Sequence, residues 1–135
     1  MAVECRISQA RSLACLALEA AGVSPQNARS VVSALIAAEI DGIPSHGLSR
    51  VAYYADQAAS GKVNGRVEPQ LTKQGVVVNV DARAGFAFPA IDKGLDALVD
   101  QARQSGLAAL SVANSHHFGV AGHHVEAIAR DGLVA

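Results

Sequence analysis

The segment from Asp41 to Tyr54, DGIPSHGLSRVAYY, brings a histidine, a hydroxyl and an arginine together at what reads as a helix start. Pro44 disfavours a helical conformation for Ile43, and Ser45 is a good N-cap, so the pattern predicts a new helix opening at His46. His46 and Arg50 are then four residues apart, on one helix face with Cβ atoms about 5–6 Å from each other, where one small molecule touches both. An imidazole exchanges a proton near neutral pH, and a guanidinium clamps a carboxylate through two parallel hydrogen bonds. The pair suits a 2-oxo acid. A plainer reading fits the same residues: Ser45 only a cap, His46 only a first-turn residue and Arg50 only a solvated charge.

A second constellation lies at residues 114–124, NSHHFGVAGHH, where four histidines, an aromatic and two glycines stand at a strand-to-helix transition. Parallel α/β sheets bind ligands at such places, because helix N-terminal N–H groups accept anions and glycine lets a phosphate or ring approach the backbone. The loop matches neither GxGxxG nor a phosphate loop ending in GK[ST]. Metal binding by His116, His117, His123 and His124 is disfavoured: there is no HExxH, no nearby cysteine, and adjacent helical histidines point apart. His123 and His124 also suit an ordinary helix surface; His117 is the stronger functional candidate.

These segments need a scaffold. Leu13, Leu16 and Leu18 among alanines predict a first helix over Ser8–Ala21, stopped by Gly22. Ser24-Pro25 caps a second, with Val32, Leu35, Ile36 and Ile40 at three- and four-residue steps up to Asp41-Gly42. The helix opening at His46 carries Leu48, Val51 and Ala55 inward and ends by Gly61, so residues 1–60 read as a three-helix unit. Beyond it, Gln70–Lys73 and Val76–Val80 read as strands around Gln74-Gly75, and VVVNVD as a strand buried on both faces. Pro89 opens a helix carrying Ile91, Leu95, Leu98, Val99 and Ala102 to Gly106; Leu107–Ala113 is a strand, His123–Arg130 a helix and Leu133–Ala135 the start of another strand. Strand–helix alternation implies parallel crossovers and an α/β unit over 61–135. A chain that stops three residues into an apolar strand carries the expectation of a fragment or truncated product.

Half of the 135 residues are hydrophobic, which is enough for a core. Eleven basic against twelve acidic residues leave a net charge of −1, no field for a nucleic acid backbone or an anionic membrane. Cys5 and Cys15 are too few and too far apart for a zinc knuckle or CxxC pair and read as thiols in a reducing compartment. With no signal-like apolar start and no window approaching the ~18 apolar residues of a membrane span, a cytoplasmic protein is expected.

PSHGLSRVAYYADQAASGKVN, followed some fifty residues on by NSHHFGVAGHH, resembles the type-2 malate/L-lactate dehydrogenase family, and VNVDARAGFAFPAIDKGLDAL agrees with the family's strand, turn and helix. The resemblance covers nearly the whole chain. It implies an NAD- or NADP-dependent oxidoreductase that moves hydride reversibly between nicotinamide and a 2-hydroxy or 2-oxo acid, on a non-Rossmann α/β nicotinamide-binding fold, in a dimer with sites at the subunit interface. By the same resemblance His46 is the proton donor and acceptor, Ser45 its hydrogen-bonding neighbour, Arg50 the substrate-carboxylate ligand, and His117, Phe118, Gly119, Val120 and Ala121 a cofactor-contacting loop. Some members assign catalysis to the second histidine. His116, where the family often has asparagine, and His123-His124, where an aromatic pair is common, depart from the pattern. Family members are more than twice this long, so the chain holds half a site; the alternative to an enzyme is an inactive fragment that folds and binds a partner through an open sheet edge.

Overall fold

Three helices with small-residue stripes open the chain, which this computed structural model describes over residues 4–135. The first, α1 (Ile7–Ala20), buries Ala10, Ala14 and Leu18. Those four-residue steps of mostly alanine let it lie close against the second helix, and they turn Leu13 and Leu16 outward, 65% and 62% exposed. The second, α2 (Pro25–Ile40), starts as its sequence predicts: the Ser24 side chain accepts from the Asn27 N–H at 3.3 Å, with Pro25 at the first position. Asn27 is buried, and its side-chain amide donates to the carbonyls of Gly65 (2.9 Å) and Val67 (3.1 Å), which ties the connection after the third helix to the start of α2.

The expected helix from His46 is not formed. Pro44–His46 and Leu48–Arg50 are two 3₁₀ turns, separated by an extended Gly47, and α3 begins only at Val51 and runs to Ala59. At the break Glu39 Oε2, at the end of α2, accepts the Leu48 N–H at 2.9 Å, a donor that a helix opening at His46 would leave without an intrahelical partner. A side chain on Gly47 would run into that carboxylate. Counted from Val51, the inward stripe of α3 is Val51, Tyr54, Ala55 and Ala58, with Tyr54 1% exposed.

Gln70–Gln74 (β1) and Val77–Asp81 (β2) form an antiparallel hairpin across Gly75, and β2 pairs in parallel with β3 (Ala109–Ala113) after the crossover helix α4 (Ala87–Ser105). Helix α4 opens two residues before Pro89, whose missing N–H falls in the first turn where no intrahelical acceptor exists. Residues Leu133–Ala135 form no strand, so the sheet has three strands in the order β1-β2-β3 with one parallel crossover. The β-branched run of β2 alternates: Val78 and Val80 are fully buried toward α4, while Val77, Asn79 and Asp81 on the other face are only half-buried, so the expected two-sided burial is corrected. Tyr54, Phe86 and Phe88 lie in one core cluster with α1 and α2, so the helices and the loop after β2 share a core.

Parallel pairing of β2 and β3 sets their C-terminal ends side by side, Asp81 opposite Ala113. The loops that follow are stitched together by Ala82 N–H to Ala113 O (2.9 Å), Ala84 N–H to Asn114 O (2.8 Å) and His116 N–H to Gly85 O (3.0 Å). Asp81 Oδ1 accepts from the Arg83 N–H (2.8 Å) and the Asn114 side-chain amide (3.0 Å), which pull the Asp81 carboxyl below its ordinary range, the Asn114 bond first. Arg83, Ala84 and Asn114 sit in the left-handed region with φ of 54°, 62° and 51°. The last helix, α5 (Ala121–Arg130), follows the second loop and starts two residues before the expected His123.

Candidate active site

The fold brings the two distant segments together. His46, from the first 3₁₀ turn, stacks on His117, from the loop between β3 and α5, with ring centroids 5.7 Å apart and planes at 29°. Ser45 joins the first group of residues in two ways. Its hydroxyl lies 3.0 Å from His46 Nδ1, and its carbonyl oxygen accepts from Arg50 Nε at 2.7 Å. The interrupted helix thus places His46 and Arg50 together by a different route from the predicted one, through the backbone of Ser45 in place of an i, i+4 face.

Among the described residues the Arg50 side chain forms no ion pair, and its one hydrogen bond uses Nε. Its two terminal nitrogens therefore remain available as a planar fork for an anion. For His46, the Ser45 hydroxyl occupies Nδ1 and leaves Nε2 as the edge for a ligand. A hydroxyl both accepts and donates, so that bond survives whether Nδ1 carries a proton or not.

His117 is held differently. Its Nδ1 accepts the Gly119 N–H at 3.1 Å and lies 3.2 Å from the Tyr54 hydroxyl. Although His117 is exposed, partial desolvation first, then the positive charges of His46 and Arg50, hold its pKa below the usual histidine value. Tyr54 is fixed in turn by Phe86 (5.6 Å between centroids), Phe88 (6.2 Å) and the edge of His116 (5.5 Å). Burial raises the Tyr54 phenol above its ordinary value, against the pull of Arg50. His116 Nδ1 is buried without a partner among the described residues, and burial lowers the pKa of that group as well, helped by His117 and Lys62; the His116 ring packs edge-on against Tyr54 and Phe86.

Phe118 is half exposed beside His117, and His124 Nε2 sits 2.9 Å from the Phe118 carbonyl oxygen. Gly119 has φ of 76°, and a Cβ there would meet the Phe88 ring at 2.8 Å, so the loop needs glycine both for its backbone and for its closeness to the core. Val120 provides no side-chain cap for α5; the His123 N–H turns back to the Val120 carbonyl at 3.3 Å, which leaves the N–H groups of Ala121 and Gly122 for a ligand anion. His123 is half-buried on α5 with its ring 5.2 Å from that of His124, and burial first lowers its pKa. Among the described residues no three His, Cys, Asp or Glu side chains converge as a metal site. A separate cleft of about 920 Å³ at the start of α2, lined by Arg29, Arg66, Glu68 and Lys93, shares no residue with the histidine site.

Sequence reasoning singled out Ser45, His46, Arg50 and the 117–121 loop, and the first three converge with His117 in space. It missed Tyr54 and Glu39. The signal for Tyr54 was its place three residues after Val51 on a stripe that becomes visible once α3 starts there; nothing local marks Glu39.

Comparisons with known proteins give this geometry a relation. The chain is 50% identical over 129 residues to a (2R)-3-sulfolactate dehydrogenase (NADP(+)) of Chromohalobacter salexigens, spanning 96% of this chain and 39% of that protein. It is 41% identical over 115 residues to a Δ1-pyrroline-2-carboxylate/Δ1-piperideine-2-carboxylate reductase of Pseudomonas putida, covering 84% of this chain and 34% of the relative. The crystal structure of a Δ1-piperideine-2-carboxylate reductase from Pseudomonas syringae superposes with a TM-score of 0.91 at 34% identity, over 97% of this chain and 40% of the other. A malate dehydrogenase from Entamoeba histolytica superposes at 0.89, 27% identical, over 98% and 37%. The chain thus spans well under half the length of these relatives. Because the malate/L-lactate dehydrogenase family model matches residues 5–135, the chain belongs to that family.

Proposed function

We propose that the chain supplies the proton-exchange and carboxylate-binding part of the site of an NAD- or NADP-dependent oxidoreductase that interconverts 2-oxo and 2-hydroxy acids. The observation that carries this reading is the Ser45 bridge: one residue holds an unpaired arginine fork by its carbonyl and a histidine by its hydroxyl. The relatives' names support the substrate class, since sulfolactate, malate and the cyclic imine carboxylates all bear a carboxylate on the carbon that changes oxidation state.

In this reading Arg50 binds that carboxylate and sets the adjacent carbonyl against His46. The nicotinamide, when bound, supplies the hydride. As negative charge grows on the substrate oxygen, His46 Nε2 gives up a proton to it; Ser45 keeps its bond to Nδ1 throughout, so the ring does not turn as its charge changes. General-acid help of this kind is typically worth about 10²–10⁴-fold. The uncapped N–H groups of Ala121 and Gly122 at the start of α5, after Gly119, fit an anionic portion of the cofactor, and half-exposed Phe118 fits its flat rings. We assign His117, Phe118, Gly119, Val120 and Ala121 to that contact. The exposure of Phe118 and His117 also supports a site closed by further protein, and we propose a homodimer as its source. The division at residue 60 is proposed as one of role, with the helical unit carrying proton exchange and the 61–135 unit the cofactor loop. No described helix is long and apolar enough to cross a membrane; we propose a cytoplasmic location, consistent with two free cysteines.

The test is a chimaera in which this chain replaces the corresponding residues of the Chromohalobacter sulfolactate dehydrogenase. NADPH and NADH oxidation over a panel of 2-oxo acids is expected to be retained. A folded chimaera that binds NADPH and turns over none of them refutes the reading.

A further inference from the structure

The two stacked imidazoles are bound to the protein in ways that permit different chemistry. We infer that Tyr54 and Gly119 lock His117 as a neutral imidazole with its proton on Nε2, so that His117 serves as a fixed hydrogen-bond donor to the substrate's carbonyl oxygen while proton exchange falls to His46. The inference deepens the function proposed above and, for the identity of the acceptor, rests on it.

The argument starts from the Gly119 N–H. A backbone amide only donates, and it points at His117 Nδ1 at 3.1 Å, so that nitrogen must hold a lone pair. The Tyr54 hydroxyl, 3.2 Å from the same nitrogen, then has one compatible role there, as a second donor in a three-centre bond. Neutral His117 has a single remaining ring proton, on Nε2. Protonation of Nδ1 would set N–H against N–H at Gly119 and break the bond, leaving that amide unpaired. His46 carries no such penalty, because the Ser45 hydroxyl reverses its role when Nδ1 gains or loses a proton.

The surroundings of His117 act in the same direction. His46 stacks on it from the first 3₁₀ turn, Arg50 lies on the second, Tyr54 approaches from α3, and His116 adjoins it in the loop. No carboxylate is among the charges that act on it, so nothing there stabilises an imidazolium. Tyr54 cannot turn away, since it is 1% exposed and bounded by Phe86, Phe88 and His116. Tyr54 is thus a positioning residue: it acts on the ligand through the tautomer of His117.

Long-range ¹H–¹⁵N correlation spectra of the ¹⁵N-histidine-labelled 135-residue chain, recorded from about pH 5 to 8 without ligand, read each ring nitrogen directly. His117 is expected to show an unprotonated Nδ1 and a protonated Nε2, with a midpoint below the ordinary value of about 6.5. In Tyr54→Phe, loss of one donor to the neutral form is expected to raise that midpoint by about half a pH unit to one unit. A proton on Nδ1, an even mixture of tautomers, or a midpoint unmoved in a folded Tyr54→Phe overturns the inference. If Tyr54→Phe does not fold, the wild-type spectrum alone decides. Because no substrate is present, a failure here is separate from a failure of the chimaera to turn over 2-oxo acids.

Discussion

Ser45 is the residue on which the site's geometry turns, and its two bonds have separable effects. Its hydroxyl steadies His46, while its backbone carbonyl, which no side-chain change removes, orients Arg50. Ser45→Ala in the chimaera is therefore expected to lower kcat about two- to tenfold, the worth of one ordinary hydrogen bond, and to leave KM for the 2-oxo acid within error. A rise in KM with kcat unchanged would show that the hydroxyl contacts substrate and does not orient the histidine. Of the residues that converge, Ser45, His46, Arg50 and His117 were legible because their types are chemically distinctive. Tyr54 was not, because a tyrosine on an apolar stripe looks like core until the ring it touches is known.

At the scale of elements, the start and stop signals were read well where they are local. Ser24-Pro25 opens α2 and Gly106, at φ of 81°, closes α4. The failures came where a contact from elsewhere decides. The run from Pro44 folds as 3₁₀ turns with Glu39 taking the Leu48 N–H, and β2, expected buried on both faces, is covered on one face by α4. The 114–120 loop is held by the strained Asp81–Gly85 turn and by Gly119 over Phe88, which yields two opposite predictions. Ala84→Gly relieves a left-handed alanine that costs roughly 1–2 kcal/mol and adds about 0.5–1 kcal/mol of chain entropy, so denaturant titration should show stability unchanged or raised by about 1 kcal/mol. Gly119→Ala forces both a disfavoured φ and a clash with a buried ring; a loss of about 1–3 kcal/mol is expected, and a Gly119→Ala protein as stable as the wild type would contradict the loop's packing.

Across the whole molecule the histidines give stability a pH dependence. Half-buried His116 and His123 and the more exposed His117 all have pKa values lowered first by desolvation. The unfolded chain therefore takes up their protons first, and the folded state loses stability as pH falls below the unfolded value of about 6.5, until the folded values are passed. Asp81 and Glu68, lowered by hydrogen bonds from Asn114 and Lys93, continue the loss at lower pH. Tm should fall steadily on acidification from neutral pH, and a rise between about pH 7 and about pH 5.5 would contradict the lowered histidine pKa values. The account rests most heavily on the division of work between His46 and Arg50, and steady-state kinetics of His46→Asn and Arg50→Ala side by side in the chimaera test it most directly. His46→Asn should lower kcat by about 10²–10⁴-fold with little change in binding of NADPH, and Arg50→Ala should raise KM for the 2-oxo acid far more than it alters NADPH binding, with Arg50→Lys a poor substitute for the lost fork. Equal losses of 2-oxo acid and NADPH binding in Arg50→Ala, or an unchanged kcat in His46→Asn, would contradict it.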